Sequence, residues 1–175
     1  MTTRDAQAPA DAQFIGRWSP RAFNGEALNH AHVMTLIEAA RWAPSCFNSQ
    51  PWRFVYATKD SEHWPAMLSL LMDMNQAWAQ HAGALIAVVS RNTFQGNDAP
   101  APTHSFDTGA AWMSMALQAQ SMGLASHAMW GIEHNDIPTA LNLPDNMQIQ
   151  AMVAVGAVGN NCLLYTSPSP RDGRE

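Results

Sequence analysis

The chain has 175 residues, 47% of them hydrophobic and 13% charged, which is typical of one globular domain and not of a disordered protein. The net charge is −5 and there is one lysine, so the sequence offers no basic face for nucleic acid. No apolar run approaches the ~20 residues that span a bilayer, and the N-terminus has no secretory signal pattern. We therefore expect a cytoplasmic protein that binds neither membranes nor nucleic acid.

The N-terminal part of the chain combines a polar lead with a cationic segment. Residues 1–13 carry no apolar pattern and are predicted to form a flexible lead. Arg17, Ser19 and Arg21 follow with a period of two, and such residues point to one face of an extended backbone. Two guanidiniums and a hydroxyl on one face suit a phosphate or another anion. A solvated surface strand is the alternative that this segment leaves open.

A polar loop, residues 43–54, follows the first predicted helix. Its side chains Ser45, Asn48 and Gln50 can donate or accept hydrogen bonds. Two prolines fix φ within the loop and leave little slack between them. The loop is suited to hold polar groups against a flat ligand with polar edges, although an ordinary helix-to-strand connection explains the same residues.

Apolar patterns predict strands alternating with helices, and therefore a single α/β or α+β domain. The predicted strands are 52–57, 84–89, 124–129 and 149–158, and the predicted helices are 32–42, a helix after Asp60 that continues or restarts through Trp78, 106–122 and 135–141. The run 84–89 is apolar throughout, as in a strand buried on both faces. Residues 91–105 are predicted to form a loop or lid. The small side chains of helix 106–122 allow close packing, across a subunit interface or inside one chain.

Common motifs for nucleotide, hydrolase and metal chemistry are absent. The sequence has no Gly-x-Gly-x-x-Gly, no Walker-type phosphate loop and no Gly-x-Ser-x-Gly elbow. Its histidines, cysteines and carboxylates are not grouped at metal-ligand spacing. We expect no metal and no catalytic side chain. His127 is predicted to be a core or pocket residue, and Asp107 to stabilise the start of its helix.

Several stretches together resemble the nitroreductase family of FMN-dependent oxidoreductases. The 17–21 segment is similar to the family's flavin-binding entry motif, Arg-x-Ser-x-Arg. Residues 44–52, Pro-Ser-Cys-Phe-Asn-Ser-Gln-Pro-Trp, are similar to its Pro-Ser-Ser-x-Asn-x-Gln-Pro-Trp signature. Asn75 matches an asparagine that contacts the flavin ring, and 123–131 resembles the segment over the flavin's central ring. The resemblance covers roughly 14–159.

The resemblance implies a nitroreductase-like domain over 14–161, with a mixed sheet flanked by helices. It implies an intertwined homodimer with two FMN sites at the subunit interface and NAD(P)H as the reductant. The implied reaction is the ping-pong reduction of electron-poor substrates such as nitroaromatics, quinones or enones. The alternative is a flavin-binding carrier or sensor without nicotinamide turnover, because bulky Trp78 and Trp130 stand where the family usually has lysine and glutamate.

Roles for individual residues are also implied by the resemblance. Arg17 would pair with the FMN phosphate, while Ser19 and Arg21 would contact the ribityl chain and the pyrimidine edge. Arg21 would stabilise negative charge near N1 of the reduced ring. The partner chain would supply loop 45–48, and the backbone of 130–131 would approach N5. The cofactor-binding residues implied are Arg17, Trp18, Ser19, Arg21, Ser45, Cys46, Phe47, Asn48, Gln50, Asn75, Trp130 and Gly131.

The C-terminal residues have a different character from the rest of the chain. Residues 162–172, Cys-Leu-Leu-Tyr-Thr-Ser-Pro-Ser-Pro-Arg-Asp, resemble the translation of a sequencing adapter. We therefore interpret 162–175 as an artefactual tail and exclude it from fold reasoning. The basic residues that complete the family's phosphate site fall after Gly159 and are expected to be missing. FMN binding is expected to be weaker for that reason.

Overall fold

The structure, a computed structural model, describes residues 6–159. The elements are α1 Ala12–Gly16, α2 His30–Arg41, a 3-10 turn Cys46–Asn48, β1 Trp52–Thr58, α3 Trp64–Ser69, α4 Asp73–Ala79, β2 Ala84–Arg91, α5 His104–Ser121, β3 Ala125–Met129, α6 Ile137–Ala140 and β4 Met147–Gly156. All four predicted strands are present, and the helix expected after Asp60 restarts as α4. Helix α1 begins inside the segment predicted as a flexible lead. The tail 162–175 lies outside the described residues.

The four strands form one sheet with the order β1-β2-β4-β3. The prediction of an α+β domain is confirmed, but the mixed sheet is not seen: all three pairings among the described strands are antiparallel. Strands β2 and β3, joined by α5, do run in the same direction. Strand β4 lies between them, so the β-α-β unit forms no parallel ladder.

Helices cover both faces of the sheet. On one face the core contains residues of α3, α4 and α6, and on the other it contains residues of α2 and α5. Strand β2 contributes to both, with Leu85 and Ala87 in the first core and Ile86 and Val88 in the second. This burial on both faces explains the continuous apolar run, because the side chains on each side of the strand are removed from water.

Helix α5 lies on the face of the sheet whose core also contains residues of α2. Its buried side chains include Ala111, Ala116 and Ala119, so its small residues serve close packing inside one chain on this face. Its outer face is open: Phe106 is 82% exposed, and a Cβ at Gly109 would meet nothing within 4 Å. Although α5 has 18 residues, no helix within residues 6–159 is both long and apolar enough to cross a membrane.

Candidate functional site

A buried arginine forms the floor of a small pocket at the end of α1. Arg17, which follows α1 directly, is only 7% exposed. It lines a half-open pocket of about 210 Å³ with the C-terminal half of α5 and the start of β3. Ser126 Oγ and Gln120 Oε1 also belong to residues of this pocket, and both atoms are buried without a hydrogen-bond partner among the described residues. A guanidinium beside an unpaired hydroxyl donor suits a phosphate group, so these residues fit the phosphate of FMN.

The segment after Arg17 presents its polar groups to one side. The Nη1 of Arg17 donates a hydrogen bond to Ser19 Oγ at 3.4 Å, as the period of two predicted. The segment belongs to no strand of the sheet. It is fixed instead by buried Pro20, whose carbonyl lies 2.9 Å from Nδ1 of His127 on β3. Arg21 is exposed and remains available to a ligand.

The residues predicted to contact the flavin ring lie together beyond the end of β3. Asn75 Nδ2 donates to the carbonyl of Gly131 at 2.9 Å, and the backbone N–H of Met72 donates to the same oxygen at 3.1 Å. A Cβ on residue 131 would lie 2.6 Å from Asn75 Nδ2, so a side chain at this position would displace the Asn75 amide from the Gly131 carbonyl. Trp130 is 64% exposed and packs against the ring of His134, with centroids 4.2 Å apart.

The polar loop 45–50 holds an uncommon backbone conformation. Phe47, Asn48 and Gln50 have φ values of 51°, 53° and 46°, in the left-handed region that non-glycine residues rarely occupy. The loop is bonded internally: Ser45 Oγ accepts from the Gln50 N–H at 3.0 Å, and Gln50 Nε2 donates to Asn48 Oδ1 at 2.9 Å. Phe47 is 90% exposed. The loop therefore presents one aromatic ring and two amides outward.

Asp107 anchors this loop from the first turn of α5. Its carboxylate is 4% exposed, and Oδ2 accepts hydrogen bonds from the backbone N–H of Cys46 at 3.1 Å and from Thr103 Oγ1 at 3.0 Å. The sequence predicted only a favourable position at the helix N-terminus. The anchoring role was missed because Cys46 and Asp107 are 61 residues apart.

The predicted site residues fall into two groups at opposite edges of the sheet. The loop group, which precedes edge strand β1, contains Ser45, Cys46, Phe47, Asn48 and Gln50. The arginine group, beside edge strand β3, contains Arg17, Trp18, Ser19, Arg21, Asn75, Trp130 and Gly131. Three strand spacings, about 14 Å, separate β1 from β3. Along α5, the 13 residues from Asp107 to Gln120 span about 20 Å.

Comparison with known sequences identifies the family. The sequence profile of the Nitroreductase family matches residues 15–76 and 64–157, nearly the whole described chain. The chain belongs to the nitroreductase family. Both groups of predicted site residues lie within the matched ranges, so the resemblance drawn from short motifs extends over the domain.

Three relatives of this nitroreductase-family chain show how similar it is to known proteins in sequence and in structure. A solved oxidoreductase containing FMN shares 43% identity and a TM-score of 0.88, over 100% of this chain and 88% of that one. An NADH dehydrogenase from Thermus thermophilus is 27% identical over 171 residues, covering 81% of this chain and 83% of that protein. A nitroreductase family protein from Clostridium difficile 630 is 22% identical with a TM-score of 0.68, over 88% and 84% of the two chains. The last likeness supports the fold alone.

Trp78, one of the two tryptophans behind the carrier alternative, is partly buried and packs against the first core. Its ring lies 4.7 Å from the His127 ring and 6.2 Å from the Phe23 ring, between centroids. The pKa of His127 is lowered, mainly because burial disfavours the imidazolium and also because Arg21 and Arg17 repel its charge. Hydrogen bonding to the backbone of Pro20 and of Ser19 acts in the opposite direction. Trp78 therefore packs against His127 of β3.

The described part of the chain contains no cluster of side chains suited to bind a metal ion. Within residues 6–159, no three or more histidine, cysteine, aspartate or glutamate side chains are close enough together to hold an ion. Cys46 has no disulfide partner among these residues.

Proposed function

We propose that this chain is an FMN-dependent oxidoreductase that takes hydride from NADH or NADPH and reduces electron-poor substrates such as nitroaromatics, quinones or enones in a ping-pong cycle. The observation that carries the proposal is the pocket lined by buried Arg17 and by Ser126, whose hydroxyl has no hydrogen-bond partner within residues 6–159. Family membership and the 43%-identical oxidoreductase containing FMN support it. The name of the Thermus relative, NADH dehydrogenase, is consistent with a nicotinamide as reductant.

The chain's own residues would bind and orient the cofactor, which supplies the redox chemistry when bound. Arg17 and Ser126 would hold the phosphate, and Ser19 would lie next along the ribityl chain. Arg21 would bring positive charge to the pyrimidine edge, where electrostatic stabilisation is most useful. The Gly131 backbone, fixed by two donors to its carbonyl, would face the ring with little freedom to move. No side-chain acid or base is needed in this arrangement.

We propose further that the active protein is a homodimer whose two sites each combine both groups. The loop group and the arginine group lie at opposite edges of the sheet in one chain. A second chain related by a two-fold axis would bring its loop to the arginine group of the first, and the reverse contact would follow by symmetry. The open outer face of α5 and the 90% exposed Phe47 support this assembly.

Mixing two defective variants tests the shared site. Arg17→Met damages the arginine group, and Phe47→Asp places a charge on an exposed loop residue whose left-handed φ aspartate tolerates. We expect each variant alone to bind little FMN. Because random pairing gives mixed dimers with one undamaged site, the co-refolded mixture should regain about a quarter of the wild-type sites.

Bound FMN per chain, measured by absorbance after desalting, gives the result of the mixing experiment. A co-refolded mixture of two differently tagged Arg17→Met chains is the control. If the mixed variants bind no more FMN than their separate averages, each site is built within one chain and the shared-site proposal is wrong.

A visible absorption spectrum of the purified protein tests the function itself. We expect a flavin band, present as isolated or after adding FMN, that bleaches when NADH or NADPH is added without oxygen. A band that persists with both nicotinamides would support the carrier or sensor alternative. A folded dimer that takes up no FMN would contradict both functions.

The packing of the two tryptophans bears on the carrier alternative. The alternative depends on Trp78 and Trp130 blocking nicotinamide. Trp78 is partly buried and contacts the rings of Phe23 and His127, whereas Trp130 is 64% exposed and contacts the ring of His134. The reduction test above decides whether either ring blocks nicotinamide. The cytoplasmic location and the lack of nucleic-acid and membrane partners stay predictions.

A further inference from the structure

His127 makes a hydrogen bond whose direction is fixed by its partner. Its Nδ1 lies 2.9 Å from the Pro20 carbonyl oxygen, and a carbonyl can only accept. Nδ1 therefore carries the proton and donates. The two residues are 107 positions apart in the chain, so this bond ties the N-terminal segment to strand β3.

The imidazole of His127 is itself held in place by packing. Trp78 of α4 lies against it at 4.7 Å between ring centroids, and Phe23 stacks on the other side of Trp78 at 6.2 Å with an interplanar angle of 25°. Phe23 is 7% exposed and pairs with Val158 through an isolated β-bridge. The same aromatic stack therefore supports both His127 and the end of the segment that follows Arg21.

We propose that His127 is a positioning residue, which fixes Ser19 and Arg21 for the flavin by donating from Nδ1 to the carbonyl of Pro20, the residue between them. This inference rests on the proposed function, since it assigns the segment a flavin to hold. The segment is then fixed at three points: Arg17 in its pocket, Pro20 on His127, and Phe23 in the stack.

The charge state of His127 agrees with a geometric role. Its pKa is lowered by burial and by the neighbouring Arg21 and Arg17, which favours the neutral form of the ring. A neutral ring adds no charge to the site and still offers the Nδ1–H donor. The positive charge at the flavin would come from the two arginines, whose spacing His127 sets.

Two substitutions separate the hydrogen bond from the packing. His127→Leu removes the donor and keeps an apolar side chain against Trp78. His127→Asn places an amide N–H near the position of Nδ1 and so keeps the donor. His63→Leu, which changes a 77% exposed imidazole far from the segment in sequence, is the control.

Hydrogen–deuterium exchange without FMN tests the attachment directly. In a peptide covering 17–23, we expect faster exchange in His127→Leu, and exchange close to wild type in His127→Asn and His63→Leu. Equal exchange in His127→Leu and wild type would overturn the proposal. Equally fast exchange in the Asn and Leu variants would also overturn it, because packing alone would then hold the segment.

Flavin fluorescence titration tests the consequence for binding. We expect the FMN Kd to rise about tenfold in His127→Leu, the cost of about one hydrogen bond, and to return towards wild type in His127→Asn. An unchanged Kd in His127→Leu would overturn the positioning role even if exchange increases. If wild-type protein binds no FMN, the proposed function fails, whereas the exchange experiment still decides whether His127 holds the segment.

Discussion

Replacing Arg17 by methionine is expected to raise the FMN Kd by about 100-fold, the effect of removing one partner from a buried, hydrogen-bonded charge pair. Arg17 is 7% exposed and lines the pocket that also contains Ser126, whose hydroxyl has no partner in the part of the chain that the structure describes. Methionine preserves much of the apolar stem, so the change removes the charge and the donors with little loss of packing. The Kd is measured from the quenching of flavin fluorescence.

Two further variants make this result specific. Arg17→Lys should give an intermediate Kd, because an ammonium keeps the charge but cannot offer the planar fork of a guanidinium. Arg41→Ala removes an arginine of α2 that pairs with Glu38 at the surface, and it should leave the Kd unchanged. An Arg17→Met protein that binds FMN as tightly as wild type would show that the phosphate lies elsewhere.

Replacing Asp107 by alanine is expected to lower the free energy of unfolding by about 2–3 kcal/mol, because two donors lose a buried, charged acceptor. The lost bonds are those from the Cys46 N–H and from Thr103 Oγ1. The loop 45–50 would also lose the anchor that holds its left-handed residues in place. In the proposed dimer this loop completes the partner's site, so FMN binding should weaken about tenfold.

Chemical denaturation and FMN titration check the Asp107 prediction. Asp107→Asn can place a neutral amide oxygen where Oδ2 lies and so accept both bonds, and both effects should therefore be smaller. Asp98→Ala removes a 77% exposed carboxylate that pairs with Arg91 and should cost less than about 1 kcal/mol. If Asp107→Ala lowers stability without affecting FMN binding, the loop does not belong to the flavin site.

The sequence alone was sufficient for the four strands, for most of the helices except α1, and for the resemblance to the family. Strand β2 was predictable because a strand buried on both faces must be apolar at every position, and residues 84–89 are. Gly123 follows the end of α5 closely, and its φ of +73° is the left-handed conformation that a residue without a Cβ adopts readily after a helix. The spacing of Arg17 and Ser19 correctly placed their side chains on one side. Each of these features is determined by residues that lie close together in the sequence.

The bonds that form the site join distant parts of the chain, and only the tertiary structure determines them. Asp107 and Cys46 are 61 residues apart, and His127 and Pro20 are 107 apart. Likewise, nothing in the β2-α5-β3 order indicates that β4 lies between the two strands and makes the sheet antiparallel. The sequence determined which residues are candidates, through local spacing and burial. Their separation into two groups depends on which strands become edges of the sheet, and local patterns carry no information about that.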